Sequence, residues 1–498
     1  MDFATYRRLD ATALAAEHAA GRVTAPHLLD LALQRLAQVQ PALNPVCHLM
    51  EADARRATTT PRPGPLAGVP LLVKDAGHAV ADHPTAWGSR ALAALPPATA
   101  DAHVVRRLRE AGGIIFGKTN TPELALKGVT DPVAFGRTNN PWDVRRTPGG
   151  SSGGAAAAVA AGVVPLAAGN DGGGSLRIPA ACCGLVGLKP SRGRISSGPA
   201  AGEVWFGASA EGVLTRSVRD TALALEVLAG PEPGDLAALP VPHPGFVAQS
   251  RHPLRRLRVA WCHDSPLGEP VHDEARLAVE RTVALLQALG HHTEPASPAL
   301  DGRALAHSYL HIYLGQVPAA LDRARAQGAD ERGFEPLTRL IAALGRATSA
   351  SQMTQALLRW HGFAQALAAL HARFDLYLTP TLAAPPVLHG TGDLPALQRV
   401  LLDSARRIGL LGLLKRSGAL DGLIQRIATD SLRHVPFTQL ANLTGTPAVS
   451  LPLHWTRDGL PLGVQFVAPP RQEGLLLQLA AELEAAQPWF HRLPPAFS

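Results

Sequence analysis

Two glycine-serine clusters joined by a run of small apolar residues constrain this chain more tightly than any other feature. Gly149-Gly150-Ser151-Ser152-Gly153-Gly154 leads straight into Ala155–Ala161, and Gly169-Asn170-Asp171-Gly172-Gly173-Gly174-Ser175-Leu176-Arg177 follows a few residues later. A helix over 155–161 with side chains this small can lie closely against a sheet, and Gly162 ends it. Consecutive glycines let backbone N–H groups turn inward and approach a ligand, which is how a site for a developing oxyanion is built. The pattern therefore places Ser175 as a nucleophile facing a carbonyl whose oxygen lies among the N–H groups of Gly172, Gly173, Gly174 and Ser175. The simpler readings are that Ser151 or Ser152 caps the helix and that the glycine run is only a tight turn.

The flanking sequence sets the fold class. From Pro65 to about Ser197, short apolar runs alternate with Gly, Pro and Asn clusters, which suits buried strands alternating with helices. Val69–Val73 and Gly113–Phe116 read as strands, with a short helix over Ala102–Glu110 between them. Two helices precede them, one running to Gly21 and one starting after Thr24 as N-cap, with Pro26 in its first turn. The Pro-, Gly- and His-rich stretch 231–253 reads as a long surface connection. Beyond it come a strand-helix-strand unit from Leu257, a largely helical Ala304–Leu432 broken by a strand at 375–378, and two closing strands, Ala448–Leu453 and Leu462–Val467. A hairpin at Arg457-Asp458-Gly459 joins these two, and a final helix starts from Gln472.

Composition removes several function classes. With 46% hydrophobic and 17% charged residues over 498 positions, the chain can bury a large core. Its net charge of +7 invites a nucleic-acid partner, but no run of five or six basic residues supplies a footprint, so none is expected. The longest apolar stretch, Ala155–Gly169, is interrupted by Gly162 and Pro165 and falls short of the roughly 18 residues of a bilayer span, so no membrane association is expected. The start lacks the basic segment and apolar run of a signal peptide, which predicts a cytoplasmic protein. Cys47, Cys182, Cys183 and Cys262 fit neither a disulfide framework nor a zinc pattern, and no metal is expected.

Lysine usage is more informative. Only five of the 47 basic residues are lysine: Lys74, Lys118, Lys127, Lys189 and Lys415. Arginine supplies the generic positive charge, so a lysine here is a candidate for the one task arginine cannot perform, giving up its proton. Lys74 ends the apolar strand 69–73. Bringing its pKa from about 10.4 to near 7 requires roughly 4–5 kcal/mol of disfavoured charge, which burial can supply. A neutral Lys74 could take the proton of Ser151, which takes that of Ser175. Read alone, Lys74 is better taken as a lysine snorkelling at a strand end.

Two lookalikes are set aside. Gly112–Thr119 matches the phosphate-loop pattern, but its strand lies inside the motif and the next helix starts only at Asn120-Thr121-Pro122-Glu123. Gly150–Gly154 matches a nucleophile elbow centred on Ser152, yet Asn139–Pro148 before it cannot be a buried strand.

Together these segments resemble the amidase signature family. The similarity runs through Gly64–Asp75, Gly117–Glu123, both glycine-serine clusters, Ala180–Pro190, Phe437–Pro447 and Gly459–Gln465, and is weakest between about 290 and 430. The resemblance implies one large α/β domain over 1–498, with a central twisted mixed β-sheet covered by helices on both faces. Within it, N-terminal helices occupy about 1–60, the signature core about 64–230, a variable helical region about 290–435, and closing strands and helix about 436–498. It implies Lys74 as base, Ser151 as bridging serine after a cis Gly150–Ser151 peptide, and Ser175 as the acylated nucleophile. Ser152, Asp171 and Arg177 match positions that support the two loops. The implied substrate is a small-molecule amide with water and no cofactor, and the family's range extends to oligoamides, esters and carbamates. Alternatives on the same fold are a glutaminase-type subunit of an amidotransferase and a catalytically silent binding protein.

Two departures from the family pattern carry expectations. The common Thr-Asp-Thr-Gly-Gly-Ser form is Asn170-Asp171-Gly172-Gly173-Gly174-Ser175 here, which is expected to loosen the loop and widen the pocket. The Gly-Asn-Asp form is similar to that of the family's aminohexanoate cyclic-dimer hydrolases, but Leu126, a candidate pocket residue with Gly128, stands where those carry a polar residue. The sequence leaves the oligomeric state open between monomer and homodimer. It also leaves the leucine-rich stretch Ile408–Ile427 open between a lid and a packed surface helix pair.

Overall fold

Among the described residues, eleven strands join in one mixed sheet. They are β1 (Val46–Leu49), β2 (Pro70–Lys74), β3 (Ile114–Thr119), β4 (Leu166–Asp171), β5 (Val186–Lys189), β6 (Ala210–Thr215), β7 (Arg258–Trp261), β8 (His292–Pro295), β9 (Leu376–Pro380), β10 (Ala448–Leu451) and β11 (Val464–Val467). Their spatial order is β1-β3-β2-β4-β6-β5-β10-β11-β9-β7-β8. The computed structural model describes residues 1–391, 404, 414, 417 and 421–497. The chain forms a single α/β domain in which helices flank this sheet.

The centre of the sheet positions the site. β2 runs parallel to both β3 and β4, with Leu72 opposite Ala167, so β2 and β4 end at the same edge. Lys74 is thereby set near Asn170 and Asp171, in the crevice outside the carboxyl ends of parallel strands where such sheets commonly bind ligands. β6 runs antiparallel to β4 and places Glu211 directly opposite Asn170. Every residue of β2, β3, β4 and β6 is buried, as expected of strands covered on both faces.

The small-residue helix is Gly153–Ala160, buried along its whole length. A side chain at Gly154 would meet the backbone of Asn120 and the Pro45 carbonyl at about 2.5 Å, so only glycine permits this approach to the end of β3. Ser152 stands at the N-cap position without a side-chain capping hydrogen bond, which removes the plainest reading of that serine. Thr24 does cap the helix Ala25–Leu43, through its hydroxyl and the His27 N–H.

Several elements differ from expectation. Strands β1, β4, β5 and β6 carry too few residues, or too many glycines and polar ends, to announce themselves by pattern. The stretch 231–253 contains a helix, Phe246–Arg251, whose Phe246 is buried. A single 3-10 turn, Glu123–Ala125, replaces the helix expected after Asn120. As expected, Asn139–Pro148, before the nucleophile-elbow lookalike, forms turns and an isolated Asn140–Asp143 bridge, not a strand. The variable region is built from Gly302–Ala326, Pro336–Arg346 and Ala350–His371. Most of the stretch 408–427 lies outside the described residues, and the helix Asp421–Leu432 takes up its end. Among the described residues no helix is long and apolar enough to cross a membrane.

Candidate active site

Lys74 closes β2, and its side chain is wholly buried. Its Nζ lies 2.7 Å from Ser151 Oγ and 2.7 Å from Asn170 Oδ1. Burial pulls its pKa from 10.5 down to about 7, against the opposing influence of Glu211 and Asp171. A neutral amine has two N–H groups and one lone pair. The Asn170 amide is oriented by donating from Nδ2 to the Ala76 carbonyl at 2.8 Å, so its Oδ1 faces Nζ and accepts one N–H. The lone pair is then free to accept the Ser151 hydroxyl proton.

Ser151 follows a cis peptide from Gly150 and is fully buried. The loop around it is tied down on both sides. Thr130 Oγ1 donates to the Gly149 carbonyl at 2.9 Å, and Ser152 Oγ to the Asn170 carbonyl at 3.2 Å.

The second glycine cluster is organised by Asp171. Its Oδ1 accepts from the Gly174 N–H at 2.7 Å and its Oδ2 from the Leu176 N–H at 3.2 Å. Arg177 grips the same carboxylate with Nε and Nη2, each at 2.9 Å, in a fully buried pair. Burial alone would raise the Asp171 carboxyl, but the Arg177 guanidinium outweighs it and holds the group well below the usual carboxylate range. Arg177 also donates to the Thr438 carbonyl and to Asn442 Oδ1, tying the loop to the closing segment of the chain. The Gly174 N–H, one of the four donors expected to face an oxyanion, is thus committed to Asp171.

Ser151 and Ser175 border one cavity open to solvent, with about 540 Å³ of space when its mouth is included. Ser175 is 9% exposed, and its hydroxyl makes no hydrogen bond among the described residues. Trp87, Trp205 and Glu211 supply much of the wall. A side chain on Gly172 would come within 2.5 Å of the Trp205 ring, and one on Gly173 would overlap the Tyr309 hydroxyl. The missing threonine at 172 therefore does not widen the pocket: Trp205 occupies the space, braced edge-on by Tyr313 with ring centroids 5.2 Å apart. Trp87, Ala125 and Trp205 all have positive φ, a costly conformation for such residues that tends to collect at functional sites.

The expected pocket residues fare differently. Ala125 borders the cavity, whereas Leu126 turns into an apolar cluster with Leu124, Val317 and Leu321. Gly128 packs its backbone against Gly150, at 2.8 Å from where a side chain there would stand. Asn170, His78, Glu211, Trp87, Trp205 and Tyr309 were not identifiable as site residues from sequence. Only Asn170 had a signal, its place within the second cluster.

Comparison with known proteins agrees with this architecture. The family model described as Amidase matches residues 27–405 and 419–477. The 6-aminohexanoate-cyclic-dimer hydrolase of Pseudomonas sp. strain NK87 is 37% identical, over 97% of this chain and 96% of that protein. The Mycobacterium tuberculosis protein AmiB2 is 38% identical, over 95% of each. Among solved structures, a 6-aminohexanoate cyclic dimer hydrolase complexed with substrate superposes with a TM-score of 0.88 at 33% identity, covering 99% of this chain and 100% of that one. A bacterial aryl acylamidase superposes with a TM-score of 0.83 at 26% identity, covering 97% and 96%. Likeness of this extent, carried by both sequence and fold, makes the chain a member of the amidase signature family of amide-bond hydrolases.

Proposed function

We propose that this chain hydrolyses carboxamides through an acyl-enzyme on Ser175, with Lys74 as the base and Ser151 as the proton bridge between them. The observation that carries this reading is the buried Lys74 amine, with one neighbour, Asn170 Oδ1, fixed as an acceptor and the other the Ser151 hydroxyl. Ser175 Oγ attacks the amide carbon as its proton passes to Ser151, whose own proton passes to Lys74 Nζ. The two serine hydroxyls must close to hydrogen-bond distance when substrate binds, as catalytic contacts often do. The carbonyl oxygen gathers negative charge among the N–H groups of Gly172, Gly173 and Ser175. Return of the proton along the same path releases the amine, and water, activated in the same way, cleaves the acyl ester and regenerates Ser175.

Ser152 and the Asp171–Arg177 pair act as supports that hold the two loops. The relatives named for cyclic aminohexanoate dimers and aryl acylamides make anilides and short aminoacyl oligoamides the substrate classes to try first, with esters and carbamates as side activities. Ser175→Ala and Lys74→Ala are expected to abolish anilide hydrolysis while leaving the far-UV circular dichroism unchanged. Turnover retained in either folded variant would exclude the mechanism.

A further inference from the structure

We propose that Glu211 and Trp87 form a subsite for a protonated amine that the substrate carries away from its scissile amide. This rests on the amidase reading of the cavity and names its substrate class. Glu211 is 3% exposed and borders the cavity from β6. One carboxylate oxygen is spoken for. The Lys74 backbone N–H donates to His78 Nδ1 at 3.2 Å, so the His78 proton sits on Nε2, which donates to Glu211 Oε2 at 2.8 Å.

The other oxygen, Oε1, has no hydrogen-bond donor among the described residues. A side chain built on Gly77 would lie 3.9 Å from this oxygen and 4.0 Å from Trp87 Cη2, so carboxylate and indole border the same point of the cavity wall. Among the described residues lining the cavity, Glu211 is the sole ionisable side chain. An acceptor that faces the cavity without a protein donor is satisfied when a ligand brings an N–H, and the Trp87 ring edge beside it gives the ligand's carbon stem an apolar wall. The same charge repels an acid. The wall therefore selects amides bearing an ammonium group, accepts neutral ones less well and disfavours those ending in carboxylate.

The test uses p-nitroanilides with acyl chains of two to six carbons ending in methyl, ammonium or carboxylate. Wild type is expected to prefer the ammonium over the methyl series in kcat/KM by about tenfold or more at its best chain length. Glu211→Gln should bring that ratio close to one, and Glu211→Asp should keep part of it. Any influence of Glu211→Gln on Lys74 through His78 acts on all three series alike and cancels in the ratio. A wild type without preference at any length, or a Glu211→Gln protein with the wild-type ratio, overturns the subsite.

Cleavage of the methyl series tests the catalytic reading separately. If no anilide is cleaved, calorimetric titration of Ser175→Ala with n-butylammonium and n-butanol decides the subsite without turnover. The ammonium alone should bind, and Glu211→Gln in that background should remove it; equal or absent binding of the two overturns the proposal.

Discussion

Replacing Lys74 by methionine should change how the protein's stability depends on pH, in an amount set by the burial of one amine. The folded state lowers the Lys74 pKa from 10.5 to about 7. A shift of about 3.5 units corresponds to about 5 kcal/mol at roughly 1.4 kcal/mol per unit. Between pH 7 and 10.5 the unfolded chain holds a proton on this amine that the folded chain has lost, so raising the pH favours folded wild type through that window. Methionine keeps the buried stem and removes the titration, while leaving Ser151 Oγ and Asn170 Oδ1 without their partner, at about 1–3 kcal/mol each. Those local losses are independent of pH.

The quantity to follow is therefore the slope. Urea unfolding monitored by circular dichroism at pH 6, 7, 8, 9 and 10 should show Lys74→Met losing ground to wild type by roughly 1.4 kcal/mol per pH unit above 7, and by less than about 0.5 kcal/mol between 6 and 7. Lys118 and Lys189, also buried and lowered to about 8 and about 7, contribute equally to both proteins and cancel. A stability difference that stays constant from pH 7 to 10 would refute the premise that the fold holds Lys74 neutral.

Three other outcomes follow from the same geometry. Asn170→Asp places a carboxylate where Oδ1 now sits, 2.7 Å from Nζ, and restabilises the ammonium. The rising limb of kcat/KM, expected near pH 7 in wild type, should move up by about one unit or more and activity at pH 7 fall about tenfold; an unmoved limb would exclude Lys74 as the base. Arg177→Met leaves Asp171 buried and unpaired, which should cost about 3–5 kcal/mol in urea unfolding, and a loss under about 1 kcal/mol would contradict the role assigned to the pair. Gly172→Thr should lower kcat/KM by collision with Trp205, and adding Trp205→Ala should restore part of the loss; failure of that rescue would show that Trp205 does not fill the space.

The candidate site residues were more legible in the sequence than the framework around them: Lys74 lies against Ser151 and Asn170, and Ser151 and Ser175 border one cavity. The two glycine-serine clusters and the lysine at the end of an apolar strand were legible because each imposes a local demand: small residues, a backbone approach, a terminus. The strand order was not, since β4 and β6 hold glycines and polar ends and their register is decided by distant partners. Glu211 was invisible for that reason, because only the Asn170–Glu211 pairing brings it to the cavity.

Scarce lysines in this chain mark more than one buried amine. Lys74, Lys118 and Lys189 are all buried with lowered pKa values, so scarcity pointed to buried amines in general, and the neighbours Ser151 and Asn170 single out Lys74. The widened pocket expected from Gly172 failed because a tryptophan 33 positions away fills the gap, a contact that no local pattern encodes.

The central claim is most directly tested by stopping wild-type turnover of an ester or anilide with acid and mapping the acyl group by peptide mass spectrometry. One acyl group is expected on the peptide containing Ser175, and none in Ser175→Ala. Acylation at another residue, or turnover in Ser175→Ala, would contradict it.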